Sequence, residues 1–146
     1  MRQYRAKPKN GIPEIKPDNT VGQIPFVYGG HCVIDGVHFI ITKAADCEWQ
    51  EDACRINGMV EVIPESVGQD TGLLDKNGVK YYEGSIVKGL KCKYNDVGAI
   101  GKVYYNPHFA AYWVQACDKS YNMPLSANWW EVIGNTTDNP KMLETI

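Results

Sequence analysis

Thr71-Gly72-Leu73-Leu74-Asp75-Lys76-Asn77-Gly78-Val79-Lys80-Tyr81-Tyr82-Glu83-Gly84-Ser85-Ile86-Val87 decides the fold class of this chain. Asp75-Lys76-Asn77-Gly78 has the composition of a tight reversal. Asp accepts hydrogen bonds from backbone two residues ahead, Asn tolerates a left-handed conformation, and Gly adopts positive φ without steric cost. Leu73 and Leu74 precede the reversal, and the strand-favouring Val79, Tyr81 and Tyr82 follow it, so the stretch reads as a β-hairpin. Glu83-Gly84-Ser85 then re-aims the chain, and Ile86-Val87 opens another strand. Small antiparallel barrels curl their sheets with this tandem of turn, short strand, glycine corner and strand.

Short strands extend in both directions from there. Upstream, Asp35-Gly36 separates Cys32-Val33-Ile34 from residues 37–42, a strong hairpin signal. Residues 24–28 read as a strand ended by Gly29-Gly30. Tyr4-Arg5-Ala6 reads as a short strand before an irregular arm containing Pro8, Pro13 and Pro17. Ile40 and Ile41, side by side, predict burial on both faces, or on one face plus a subunit contact. Residues 43–55 carry helix-favouring Ala44, Ala45 and Ala53 but only a thin apolar stripe, which predicts an excursion loop with a helical turn. Residues 59–63 resume as a strand that pairs back onto residues 37–42, and residues 65–69 predict a helical turn. Downstream, residues 86–94, 100–105, 109–115 and 129–135 read as strands, and residues 121–128 as a loop. Asn139 and Pro140 mark the start of a short terminal helix. The sum is a mainly β chain. Residues 1–70 form a smaller N-terminal β-sheet unit with an irregular arm. Residues 71–146 form a small antiparallel SH3-like barrel with a short C-terminal helix; the alternative is one compact domain overall.

The quoted stretch resembles the signature of the YopX family of phage and prophage proteins, which centres on Thr-Gly-Leu, Asp-Lys-Asn-Gly and Tyr-Glu-Gly-Asp-Ile-Val. Further blocks agree in order: Phe26-Val27-Tyr28-Gly29, Val62-Ile63-Pro64-Glu65-Ser66-Val67-Gly68-Gln69, and Glu131-Val132-Ile133-Gly134-Asn135 followed by Asp138-Asn139-Pro140 and Leu143. Two positions depart from the pattern: Ser85 stands where the family usually has Asp, and Asp70 where it usually has an aromatic residue. The resemblance implies a phage- or prophage-encoded protein and carries no established biochemical activity.

With 146 residues, 44% hydrophobic and 22% charged, the chain has the composition of a soluble globular protein with a sizeable core. Polar, proline-containing sequence follows Met1, and no apolar run approaches membrane length, which predicts a cytoplasmic protein with no membrane partner. Five cysteines, Cys32, Cys47, Cys54, Cys92 and Cys117, are odd in number and irregular in spacing, with no Cys-x-x-Cys pair. Reduced free thiols are therefore expected, and a metal gathered by Cys47 and Cys54 with His31 or His38 is the lesser reading. His38 lies in an apolar strand as a satisfied sheet histidine, His31 follows a double glycine, and His108 follows Pro107 in a turn. No nucleophile elbow, phosphate loop, zinc signature or dinucleotide fingerprint occurs. The expectation is a non-enzyme without metal or cofactor.

Net charge is only −2, yet the charges segregate. Residues 46–75 hold eight acids against Arg55 alone, a balance of −7, whereas residues 76–102 and residues 1–16 each balance at +4. Segregated charge serves self-assembly or steers a partner. Sixteen aromatics among many short strands leave edges and rings to be covered, and Trp129-Trp130 places large rings on opposite faces of one strand. That pair is the candidate self-association site of a homo-oligomeric accessory or scaffold protein, with a phage or host protein as a further partner. The competing reading is a nucleic-acid-binding module. Lys88, Lys91 and Lys93 neutralise phosphates beside Tyr94, with Tyr104, Tyr105, Tyr112 and Trp113 on neighbouring strands to stack on bases. In the plainer alternative, these aromatics are core and the lysines keep an edge strand soluble.

Overall fold

The computed structural model describes residues 3–50, 53–90, 98–117 and 122–144, without the side chains of residues 44–50 and 53–57. The chain divides into two units, Met1–Gln69 and Asp70–Ile146. Among the described residues all strand pairing is antiparallel.

In the first unit, β1 (Tyr4–Ala6) is followed by a two-stranded ribbon, β2 (Pro13–Ile15) and β3 (Val21–Gln23). The ribbon replaces the irregular arm that the prolines predict. Its turn is built by Asp18, whose Oδ1 accepts from the Thr20 N–H at 3.0 Å and the Thr20 hydroxyl at 2.6 Å, with Asn19 at φ 65°. Next come β4 (Val27–Ile34), β5 (Val37–Gln50) and β6 (Ala53–Glu61). Hydrogen-bonded neighbours run β6-β5-β4-β1, and β1 also pairs with Gly68 and Gln69. Asp35 and Gly36 both take positive φ, 50° and 79°, as the two-residue reversal between β4 and β5 requires. Gly29-Gly30 lies inside β4 rather than ending it. A Cβ on Gly29 would overlap the Ile41 carbonyl oxygen, so glycine lets two strands close rather than breaking one.

Residues 43–55 are not a loop with a helical turn. They lie mostly in β5 and β6, where pairing resumes at Asp46↔Asn57 and runs to Gln50↔Ala53 after a bulge beyond Ile41↔Met59. The Thr42 hydroxyl donates to the Gly58 carbonyl at 3.0 Å beside this bulge. Strand pairing inherited from residues 37–41 overrides the local preference of the alanines. The predicted return of residues 59–63 onto β5 is present at Phe39↔Glu61, Ile40↔Val60 and Ile41↔Met59. Ala6, Val27, Ile40 and Val62 form the core, with Tyr4, Ile12, Val60 and Val67 packed against it. A 3-10 turn, Pro64–Ser66, supplies the helical turn before β7 (Gly68–Leu74).

In the second unit, β7 pairs with β8 (Lys80–Tyr82) at Asp70↔Tyr82 and Leu74↔Lys80. The quoted stretch is therefore the hairpin it reads as. β9 (Ser85–Gly89), β10 (Ile100–Asn106), β11 (Ala111–Ala116), β12 (Asn122–Pro124) and β13 (Trp130–Asn135) follow. They form a sheet in the order β12-β11-β10-β9-β13. β12 lies within the span predicted as a loop. Among the described residues this sheet is open, with β12 and β13 at its edges, instead of closed into an SH3-like barrel. The terminal helix is a single 3-10 turn, Pro140–Leu143. Asn139 does not cap it with its side chain; its Oδ1 accepts from the Asn135 N–H at 3.3 Å and so closes the preceding turn. Tyr81, Val87, Val103, Val114 and Trp130 form this unit's core.

Candidate functional site

The signature residues are architectural. Asp75 is buried, and its carboxylate gathers three backbone donors: Asn77 N–H at 2.8 Å, Val79 N–H at 2.9 Å and Val132 N–H at 3.1 Å. The first two shape the turn, and the third ties it to β13. Burial works against the charge, but the N–H donors of Val79, Val132 and Asn77, with Lys76 nearby, hold the carboxyl below its ordinary range. Tyr81 is fully buried, and its hydroxyl donates to the Trp130 carbonyl and, at 3.3 Å, to that of Ala127. Burial, and then the charge of Asp75, push its phenol up to about 12. Ser85, also fully buried, accepts the Tyr82 N–H on Oγ at 2.9 Å. Asp70 accepts from the Gly72 N–H at 2.8 Å and pairs with Lys80 at 3.1 Å.

The tryptophans predicted to meet a second subunit pack inside their own unit. Trp130 is wholly buried in the core, and Trp129 packs against the same cluster from the preceding turn. Of the candidate nucleic-acid contacts, Lys88 is exposed on β9. Lys91, Lys93 and Tyr94 lie outside the described residues.

Ile40 and Ile41 divide as side-by-side apolar residues on a strand must. Ile40 is buried in the core, while Ile41 points to the opposite face and is 39% exposed. Pairing places Ile41 opposite Met59, Cys32 opposite Phe39, Ile34 opposite Val37, and Tyr28 opposite Arg5. Partners in an antiparallel register share a face. This outer face of β4, β5 and β6 is consequently apolar across its middle, with Ile34 52% and Tyr28 43% exposed. Charges stand at its margins: Glu61 on β6, paired with Lys9 at 3.5 Å, and Arg5 on β1, whose guanidinium lies 4.3 Å from the Phe26 ring centroid. Sequence reading missed the extent of this face, because it ended a strand at Gly29-Gly30 and so never ran Tyr28 into the register of Cys32 and Ile34.

On the core face, His31 Nε2 and His38 Nδ1 lie 2.9 Å apart with stacked rings, and Tyr4 packs 5.4 Å from the His31 ring. Burial, and then the proximity of His38, lower the His31 pKa. A two-residue turn at Asp35-Gly36 dictates this diagonal pairing of residues seven apart, so the pair was readable from the hairpin register. Beside His38, Lys9 and Glu61 help line a cavity of about 230 Å³. Among the described residues no three His, Cys, Asp or Glu side chains gather to hold a metal. Cys32 and Cys117 are free and half-buried. The side chains of Cys47 and Cys54, and all of Cys92, lie outside the described residues, and the backbone at Cys47 and Cys54 is strand rather than helix. His108 is exposed in the turn between β10 and β11, where its N–H donates to Asn106 Oδ1 at 3.0 Å. No helix among the described residues is long and apolar enough to cross a membrane.

Comparison with curated proteins found no match. Among solved structures, protein EF1440 from Enterococcus faecalis is similar at 21% identity over 99% of each chain, with a TM-score of 0.46. The family model described as YopX protein matches residues 32–144, which include the end of β4, all of β5 and β6, the quoted hairpin and the terminal turn. The chain belongs to the YopX family.

Proposed function

We propose that this protein is a non-enzymatic, homo-oligomeric accessory or scaffold protein of a phage or prophage, acting in the cytoplasm. The observation that carries the reading is the outer face of β4, β5 and β6, where Ile34 and Ile41 stand exposed beside Cys32, Phe39 and Met59, and the carboxylate of Glu61, opposite Phe39, lies on the edge strand β6. Exposed apolar patches on folded proteins mark association surfaces, because covering them removes apolar area from water. A second copy is the fitting occupant, since the margins carry opposite charges, Arg5 on one side and Glu61 on the other, and two copies of such a face complement each other. Family membership supports the phage or prophage setting.

Light scattering of the full chain at micromolar concentration tests this reading. The expected mass is at least twice 16.4 kDa. Ile41→Lys puts a charge in the middle of the face and is expected to give a single-chain mass with an unchanged circular dichroism spectrum. A wild-type protein with a single-chain mass at all concentrations overturns the proposal. So does an Ile41→Lys protein that assembles as the wild type does.

A further inference from the structure

The second unit offers a different surface. Within β10, Ile100, Lys102 and Tyr104 alternate onto one face, in steps of about 6.6 Å. Register adds Lys88 opposite Ile100, Trp113 opposite Tyr104, and, on either side of Lys102, Gln115 and the wholly buried Ile86. Two rows result: the Gln115 amide and the Lys102 ammonium group beside buried Ile86, then a pair of aromatic rings. Phe109 extends the aromatic row from the turn, stacking on Trp113 with centroids 4.6 Å apart and planes 24° apart, while remaining 64% exposed. A cleft of about 90 Å³ opens beside Lys102 and Gln115, bounded by Leu143 of the terminal turn. The one acid that register adds to this face, Glu131 opposite Lys88, is drawn toward the signature turn. It accepts from Asn77 Nδ2 at 3.1 Å and lies 4.0 Å from Lys76 Nζ. Tyr105 and Tyr112, paired with each other, share the opposite, core-facing side with Val103 and Val114.

We infer that this outer face of β9, β10 and β11 binds single-stranded nucleic acid, with bases stacked on Phe109, Trp113 and Tyr104 and phosphates on Lys102 and Lys88. Stacked rings with an exposed outer surface accept any base, and ammonium groups one strand step away follow the backbone, so binding is sequence-tolerant. A duplex keeps its bases paired and stacked, and offers this platform only its phosphates. The inference is independent of the self-association surface, which lies on other strands in the other unit.

The test is fluorescence anisotropy of the full chain with a labelled oligothymidine and a duplex of equal length, between 50 and 200 mM salt. Tighter binding to the single strand is expected. The logarithmic salt slope should be about −1.4 for two phosphate contacts, falling by about 0.7 in Lys102→Ala. Phe109→Ala, at an exposed position, should weaken binding about tenfold and leave the circular dichroism spectrum unchanged. Absence of binding at the lowest salt overturns the inference, as does equal affinity for the duplex or unchanged binding in both variants. Loss of assembly in Phe109→Ala without nucleic-acid binding would assign the face to a protein contact instead. Ile41→Lys separates the two surfaces, since it should abolish assembly and retain oligothymidine binding.

Discussion

Asp75 shows how much of this fold hangs on single polar atoms. Its carboxylate serves the N–H groups of Asn77 and Val79 within its own turn and that of Val132 on β13. Removing it leaves backbone donors without their acceptor in a partly buried setting, where hydrogen bonds to charged groups are each worth about 1.5–3 kcal/mol. Water reaches the turn more easily than the strand, so the losses do not add in full. Asp75→Ala is expected to destabilise the chain by about 3 kcal/mol in urea unfolding followed by circular dichroism. Asp75→Asn, which retains an acceptor but not the charge, should fall between the two. The turn itself was legible from Asp75-Lys76-Asn77-Gly78, because Asp and Asn at such spacings have few other local options. The reach of Asp75 to Val132, 57 residues away, was not, since no local rule connects an Asx turn to a distant strand.

At the scale of elements, legibility follows how local the determining contact is. The Asp35-Gly36 hairpin and the return of residues 59–63 could be read from turn chemistry and alternation. Residues 43–55 could not, because their conformation is set by pairing carried over from residues 37–41 and 58–61 instead of by their own alanines. Gly29 is the sharpest case. From sequence, a double glycine ends a strand; in the structure, it admits the β5 backbone to a distance that forbids a Cβ. The ribbon of β2 and β3 was obscured by its prolines, although the Asp18, Asn19 and Thr20 turn chemistry was present. Gly29→Ala should therefore pry β4 from β5 at Ile41, expose the amides of both strands, and cost several kcal/mol. Hydrogen exchange would show the loss concentrated in residues 27–41, whereas Gly36→Ala, with open space around its Cβ, should cost only the strain of its positive φ.

For the molecule as a whole, the two units carry titratable groups that act in different pH windows. In the first, His31 takes its proton less readily than the ordinary value of 6.5, owing to burial and then to His38. The unfolded chain thus binds more protons as pH falls below about 6.5, and stability drops from there until His31 is protonated in the folded state too. In the second, Asp75 is held below 3.8, so its contribution is present above that value and is lost as pH falls through the lower folded one. Glu83 in the same unit has the opposite sign. Burial raises its carboxyl above 4.5, so the second unit gains stability as pH falls through that raised value, before Asp75 takes it away. Tyr81, at about 12 against an ordinary 10, sets the alkaline limit, since ionisation of the unfolded phenol above 10 draws the chain open. Thermal unfolding followed from pH 8 to pH 3 should accordingly weaken in two separated steps: one beginning near pH 6.5 and a second below pH 4. His31→Gln keeps an amide N–H within reach of His38 Nδ1 but cannot be protonated, and is expected to flatten the first step while leaving the second. If the wild-type and His31→Gln profiles coincide between pH 7 and pH 5, the histidine pair does not govern the acid response of the first unit. The two-window account then fails at its upper step while Asp75 still sets the lower one.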